Sequence, residues 1–151
     1  MVGRTRGAIS AVVMCAIAAL AGGCGSDTTT TPITPTPVTF TESFTGLLNP
    51  ASSATVSFVT QTGGKINATL AAIGPDNTQT VGFSLGTYNP LLNVCTIVFD
   101  NPAAAQSAVL SADASTTGYY CMRVYDNGTV AAAVANGSAT AFTYTLTVTH
   151  P

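Results

Sequence analysis

Apolar and small polar residues alternate along most of the chain, from Val38 onward. The alternation is clearest where Phe142, Tyr144, Leu146 and Val148 are separated by threonines. A period of two residues places successive side chains on opposite faces of a strand, so it predicts strands with one buried face. The predicted strands are residues 38–45, 54–60, 65–72, 80–86, 94–99, 107–111, 119–126 and 141–149.

Short clusters of glycine, proline, asparagine and aspartate separate these runs. Such residues supply the fixed or positive φ angles that turns require. Eight short strands with turn signals between them, and without helical periodicity, predict an all-β fold: an antiparallel β-sandwich or jelly roll. The alanine-rich residues 131–135 leave a strand, a helical turn and an ordered loop open. The turn clusters are Gly63-Gly64, Pro75-Asp76-Asn77, Asn89-Pro90, Asp100-Asn101-Pro102, Asn127-Gly128 and Asn136-Gly137.

The first 23 residues have the layout of a secretory signal peptide. Arg4 and Arg6 are followed by an apolar run over residues 7–20, which is too short to span about 30 Å of hydrocarbon. The run ends in Leu20-Ala21-Gly22-Gly23-Cys24, which resembles the lipobox of bacterial lipoproteins. The resemblance implies cleavage before Cys24 and diacylation of its sulfur, although the leucine stands one place farther from the cysteine than in the commonest pattern. The alternative is an ordinary secretory signal that leaves Cys24 as a free thiol.

Lipidation of Cys24 would hold the rest of the chain at a membrane, since each buried acyl methylene contributes about 0.8 kcal/mol. Residues 24–37 are rich in threonine and proline, which favour extended backbone and bury too little apolar surface to fold. We therefore expect a cleaved signal peptide over residues 1–23, a lipidated linker over residues 24–37 and one domain over residues 38–151. Gly25 is not the aspartate that retains many lipoproteins at the inner membrane. We expect the protein in the cell envelope, at the outer membrane or cell surface.

Charged residues make up only 7% of the chain. After the predicted signal peptide, Lys65 and Arg123 are the only basic residues other than histidine. A nucleic-acid binder needs clustered Lys and Arg to neutralise phosphates. The charge pattern therefore excludes nucleic acid as a partner.

The predicted domain contains two cysteines, Cys95 and Cys121. Outside the cytoplasm two such residues most often pair, so we predict a disulfide between them. A metal-binding or catalytic thiol is the alternative, and it has no histidine near it in the sequence.

The sequence offers little for catalysis. Its one histidine, His150, follows the last predicted strand, at a terminus that we expect to fray. Ser84 lies in Gly82-Phe83-Ser84-Leu85-Gly86, which matches the letters of Gly-x-Ser-x-Gly, but these residues fall inside a predicted strand and not at the strand-to-helix turn that forms a nucleophile elbow. We therefore predict that the protein is not an enzyme.

Three Asp-Asn pairs begin at Asp76, Asp100 and Asp126. Calcium is bound by carboxylate, amide and carbonyl oxygens, which loops at one end of a sandwich can supply. The three aspartates are therefore candidate ligands of Ca²⁺. The alternative, which we favour, is that each caps a turn by accepting hydrogen bonds from its own backbone.

One predicted strand carries Tyr119, Tyr120, Arg123 and Tyr125. Alternation places Tyr119, Arg123 and Tyr125 on one face, together with Cys121, and Tyr120 on the core face. Tyrosine and arginine are favoured at recognition surfaces, so this face is a candidate recognition patch for protein or glycan. The cysteine among them indicates either a second packed layer or a covered face.

The predicted domain has an opening strand that runs into Gly46, then Ala-Thr-Val-Ser-Phe at 54–58, Gly-Gly-Lys-Ile-Asn-Ala-Thr-Leu at 63–70, Gly-Tyr-Tyr-Cys-Met-Arg-Val-Tyr at 118–125 and Tyr-Thr-Leu-Thr-Val at 144–148. Together these segments resemble the bacterial pre-peptidase C-terminal domain, a small jelly-roll-like module appended to exported proteins. Residues 80–85 depart from that family, which usually has an Asp-containing strand there. The resemblance implies a non-catalytic, accessory role.

We therefore expect a surface-tethered lipoprotein that acts as an accessory or adhesion module by contacting protein or polysaccharide. Two alternatives stay open. The chain could be a structural component of the cell envelope, or a binding domain stabilised by calcium.

Overall fold

The computed structural model describes residues 38–151. All eight predicted strands are present, and the alanine-rich residues 131–135 belong to a short helix. The predicted signal peptide, Cys24 and the linker lie outside the described residues. The elements are β1 (Phe40–Leu48), β2 (Ser53–Thr60), β3 (Gly64–Gly74), β4 (Val81–Asn89), β5 (Val94–Ala104), β6 (Val109–Ala114), β7 (Gly118–Tyr125), α1 (Thr129–Ala135) and β8 (Phe142–His150).

The strands form two four-stranded antiparallel sheets. The first sheet has the order β1-β8-β3-β6, and the second has the order β2-β7-β4-β5. Within the described residues, every connection between consecutive strands crosses from one sheet to the other, apart from the β4–β5 hairpin. This is the strand order of a jelly roll, so the predicted antiparallel β-sandwich is confirmed.

Inward-facing side chains of both sheets fill one core. On β8, Phe142, Tyr144, Leu146 and Val148 are buried, as the alternation predicted. Removing a side chain of this kind from water stabilises a fold by about 1.5–3 kcal/mol. The second sheet and the first contribute the other large, fully buried residues, which include Ile66, Leu70, Val81, Phe83, Leu85, Met122 and Val124.

The strand registers place particular residues together at each end of the sandwich. Phe40, where the chain enters the first sheet, pairs with His150. The backbone N–H of Gln61, just after β2, donates to the Pro151 carbonyl at 3.0 Å and so joins this end of the first sheet to the second. Thr60 at the end of β2 pairs with Gly118 at the start of β7. The last residues of β4, which lead into the turn with β5, lie at this same end, because Thr87 pairs with Tyr120. We call this the hairpin end; the β1–β2 turn and α1 lie at the opposite end.

Strand β5 is longer than the sequence predicted. The sequence predicted a turn at Asp100-Asn101-Pro102, but these residues lie inside β5, which continues to Ala104. Since β5 is the edge strand of its sheet, one side of its backbone has no partner strand, and a proline that lacks an N–H is tolerated there. These turn-type residues therefore belong to an edge strand and do not end it.

Within residues 38–151, no helix is long and apolar enough to cross a membrane.

Candidate functional site

The predicted disulfide between Cys95 and Cys121 is present, with a Cα–Cα distance of 5.9 Å. Cys95 lies on β5 and Cys121 on β7, with β4 between them in the sheet order. Strands that far apart in a flat sheet are separated by about 9.5 Å. The sheet must therefore bend sharply at β4 for the two cysteines to meet.

Gly86 of β4 allows this bend. It pairs with Cys121 on one side and with Ile97 on the other, at a shift in the β4–β5 register. A Cβ atom on Gly86 would lie only 2.1 Å from the carbonyl oxygen of Thr96. Because glycine has no Cβ, the backbone of β5 can fold over the outer side of β4 and carry Cys95 to β7. Cys121 is fully buried as a result, so the outer face of β7 is covered at this position.

The three residues of the predicted recognition patch lie on the outer face of β7, as alternation required. Tyr119 is 51% exposed, whereas Met122 and Val124 on the opposite face are fully buried. The guanidinium carbon of Arg123 lies 5.3 Å from the centre of the Tyr125 ring, within the range of a cation–π contact. The disulfide separates this pair from Tyr119, so the patch consists of two parts.

Asp100 organises the part that contains Tyr125. The Ser84 hydroxyl donates to its Oδ1 atom at 2.7 Å, and the Tyr125 hydroxyl donates to its Oδ2 atom at 3.0 Å. The Tyr125 ring lies against Gly82, where a Cβ would come within 2.1 Å of the ring. Burial raises the pKa of Tyr125, and the bonded, negatively charged Asp100 raises it further. The phenol therefore stays a hydrogen-bond donor at neutral pH.

The structure does not bring Asp76, Asp100 and Asp126 together as a shared calcium site would require. Across residues 38–151, no group of three or more His, Cys, Asp or Glu side chains is placed to hold a metal ion. The physical reason is that each carboxylate has other partners. Asp76 accepts from the backbone N–H and hydroxyl of Thr78, as in the turn-capping alternative, while Asp100 serves the strand network described above.

Asp126 caps helix α1. Its carboxylate accepts from the backbone N–H groups of Ala51, Gly128, Val130 and Ala131, at 2.7–3.2 Å. Burial by itself raises the pKa of Asp126, but these four hydrogen bonds outweigh burial and lower it below the ordinary value. The side chain thus joins the β1–β2 turn to the start of α1, and it has a structural role.

The position of His150 differs from the frayed terminus that the sequence predicted. It is not at a fraying end: it is 2% exposed and forms the last residue of β8. Its Nε2 atom lies 2.8 Å from Glu42 Oε1, and its ring packs beside Phe58 and Phe40. The alternation in β8 carries the signal for this, because it continues unbroken from Val148 to His150.

Glu42 and His150 line an open cleft of about 430 Å³ at the hairpin end, between the edge strands β1 and β2. Ser57 lies in the same cleft, but on β2 it faces outward while its neighbour Phe58 faces the core. The Nδ1 atom of His150 lies 3.3 Å from the Pro151 carbonyl. Both ring nitrogens therefore have partners other than a serine hydroxyl.

No family model matches the chain, and none of the curated proteins matches it.

Proposed function

We propose that this chain is a lipid-anchored, non-catalytic binding module of the bacterial cell envelope. The observation that carries the proposal is the layout of the sequence: a basic start, a short apolar run, Leu20-Ala21-Gly22-Gly23-Cys24, a Thr/Pro segment and then the sandwich. The disulfide supports an oxidising compartment, because structural disulfides persist outside the cytoplasm and are rare within it. The proposal accounts for both features with one export route.

A non-catalytic role is supported by the chemistry of the described domain. The imidazole of His150 is held by Glu42 and faces the Pro151 carbonyl, so it is not directed at a nucleophile. The carboxylates of Asp100 and Asp126 are engaged by hydroxyl and backbone donors that stabilise the fold. These groups position strands and the helix, and we infer contact recognition as the activity.

The contact surface that we propose is the part of the patch formed by Arg123 and Tyr125. Their contact with each other, and the Tyr125–Asp100 hydrogen bonds, fix both side chains before a partner arrives. Preorganised side chains lose less conformational entropy on binding, which favours affinity. A planar ring beside a guanidinium suits a protein surface or a polysaccharide, the two kinds of partner expected from the sequence.

Metabolic labelling tests the anchor. Cells that express the full chain are fed palmitate carrying a detectable tag, and the protein is isolated and examined for the label. We expect Cys24→Ser to abolish labelling and Cys15→Ser to retain it, because only Cys24 follows the small residues that the lipobox requires. Equal labelling of the two variants, or none in the unaltered chain, contradicts the anchor.

Site-specific photo-crosslinking tests the contact surface. Thr55 is exposed and lies opposite Arg123 on the neighbouring strand, so a photoreactive amino acid placed there reports on that face. Thr143, exposed on the other sheet, is the matched control position. We expect an adduct in living cells from position 55 that Arg123→Ala removes, and no such adduct from position 143. An adduct that is insensitive to Arg123→Ala contradicts this surface.

A further inference from the structure

The turn of the β4–β5 hairpin exposes two leucines to solvent. Leu91 is 94% exposed and Leu92 is 71% exposed, the two highest values among the large apolar side chains of the described residues. The turn lies beyond the last residues of β4 and β5 that pair, so the two side chains project from the hairpin end of the sandwich. Two adjacent leucines with this exposure make the tip of the hairpin an apolar surface, and exposed apolar patches mark sites of contact with membranes or other proteins.

The turn holds these leucines in a defined conformation. The Asn89 side-chain oxygen accepts from the backbone N–H groups of Leu91 and Leu92, at 3.0 and 3.1 Å. The Tyr88 hydroxyl and the Asn93 side-chain oxygen form a further hydrogen bond across the base of the turn. Backbone groups that already have partners can enter an apolar medium at low cost, whereas unpaired ones cannot. The partners of these two N–H groups therefore lower the cost of moving the turn from water to the boundary of an apolar medium.

The surroundings of the tip match the edge of a lipid bilayer. No charged residue occurs between Asp76 and Asp100, so insertion of the tip desolvates no charge. Tyr88 and Tyr119 line the groove next to Leu91, at the base of the turn. Tyrosine is enriched at the boundary between lipid and water, where its ring is in an apolar region and its hydroxyl is in water.

The course of the chain identifies which surface the tip meets. The chain enters the domain at Phe40, which belongs to the same end of the sandwich as the tip. Residues 24–37, about 14 in number, precede it, and a fully extended segment of that length spans about 50 Å at most. A lipid on Cys24 would thus keep the hairpin end within reach of the membrane. Phe40, which is also apolar and exposed, lies at this end, and the exposed Val38 precedes it by two residues.

We propose that Leu91 and Leu92 insert into the lipid surface in which the Cys24 anchor is embedded, and that they orient the sandwich on it. The inference rests on the proposed lipid anchor. In this orientation Tyr119 lies at the lipid boundary, while Arg123 and Tyr125, farther along β7, stay away from the surface and accessible to a partner. The two parts of the predicted patch then have different functions.

Vesicle co-sedimentation tests the insertion without the anchor. The protein is residues 24–151 with Cys24→Ser, which keeps both sheets and the disulfide, and the vesicles are phosphatidylethanolamine and phosphatidylglycerol at 3:1. We expect the bound fraction to rise with lipid concentration and to persist in 0.5 M NaCl, since apolar insertion is not screened by salt. Leu91→Ser with Leu92→Ser should lower the partition coefficient at least tenfold.

Leu47→Ser is the matched control, because Leu47 is 63% exposed and pairs with Thr143 at the opposite end. It should leave partitioning within twofold of the parent, and unfolding midpoints of all three proteins confirm that each is folded. Absence of binding by the parent, or an equal loss in the control, overturns the insertion. Since this protein has no lipid, these results are read separately from palmitate labelling of Cys24, and either proposal can fail alone.

Discussion

Loss of the disulfide has a magnitude that follows from the fold. Cys95 and Cys121 are 26 residues apart in sequence. In the chain-entropy model, closing a loop of that length stabilises the native state by about 3.5 kcal/mol at 25 °C, because the bond restricts the unfolded chain. For a domain of about 110 residues, 1 kcal/mol corresponds to roughly 4 °C in the unfolding midpoint. We therefore expect reduction to lower the midpoint by about 15 °C.

The assay is thermal unfolding of residues 38–151, followed by circular dichroism, in the oxidised and the reduced state. Reduction removes the bond without removing atoms from the core, so it isolates the effect on the unfolded chain. Cys95→Ala with Cys121→Ala should unfold at the reduced midpoint or below it, since Cys121 is fully buried and alanine leaves a small cavity there.

A reduced midpoint within about 3 °C of the oxidised one would refute the reasoning. The disulfide would then contribute little to stability, because Gly86 and the β4–β5 pairing would already maintain the bend without it. A drop much larger than 15 °C in the reduced protein would also count against the entropy account, because the lost energy would have to come from native packing.

Two further results are expected. Gly86→Ala should lower the unfolding free energy, measured by chemical denaturation, by about 3 kcal/mol or more, since the added Cβ would lie 2.1 Å from the Thr96 carbonyl oxygen. The control is Gly118→Ala, which should lower it far less, because the Cβ would meet only a Tyr120 ring carbon at 3.3 Å. Equal losses in the two variants would contradict the close approach of β5 to Gly86. Asp126→Asn should lower the unfolding free energy by about 1 kcal/mol or more at pH 7, because the amide NH2 would face two backbone N–H donors that now bond to one carboxylate oxygen. Because folding lowers the pKa of Asp126, its contribution is present above the ordinary carboxyl pKa and is lost as pH falls through the lower folded pKa. The gap in unfolding free energy should therefore narrow as the pH is lowered into the acid range, and a gap independent of pH would contradict the capping role.

The strands could be predicted from the sequence because a half-buried strand reports its environment locally. In β8 each of Phe142, Tyr144, Leu146 and Val148 faces the core, and each intervening threonine faces away. The ends of strands were predicted wrongly where local turn residues conflict with the tertiary context. Pro102 is such a case, because whether a proline ends a strand depends on which strands flank it.

The candidate sites were predictable in part. Alternation alone placed Tyr119, Arg123 and Tyr125 on one face, but it gave no information on the contact of Tyr125 with Asp100, which lies 25 residues away on another strand. Glu42 and His150 are 108 residues apart in sequence, but their side chains form a hydrogen bond in the folded domain. The separation of the three predicted calcium ligands likewise follows from the tertiary structure, which places Asp100 inside β5 and not in a loop.

The sequence by itself determined the fold class, the eight strands, the disulfide partners and the division of the β7 side chains between core and surface, since each depends on residue type and a period of two. The tertiary structure alone decided the jelly-roll order, the fold-over of β5 at Gly86, the partners of each aspartate and the location of the apolar hairpin tip at the end where the chain enters. These features depend on which segments meet across sheets. Such meetings depend on the packing of the whole core, which no local pattern specifies.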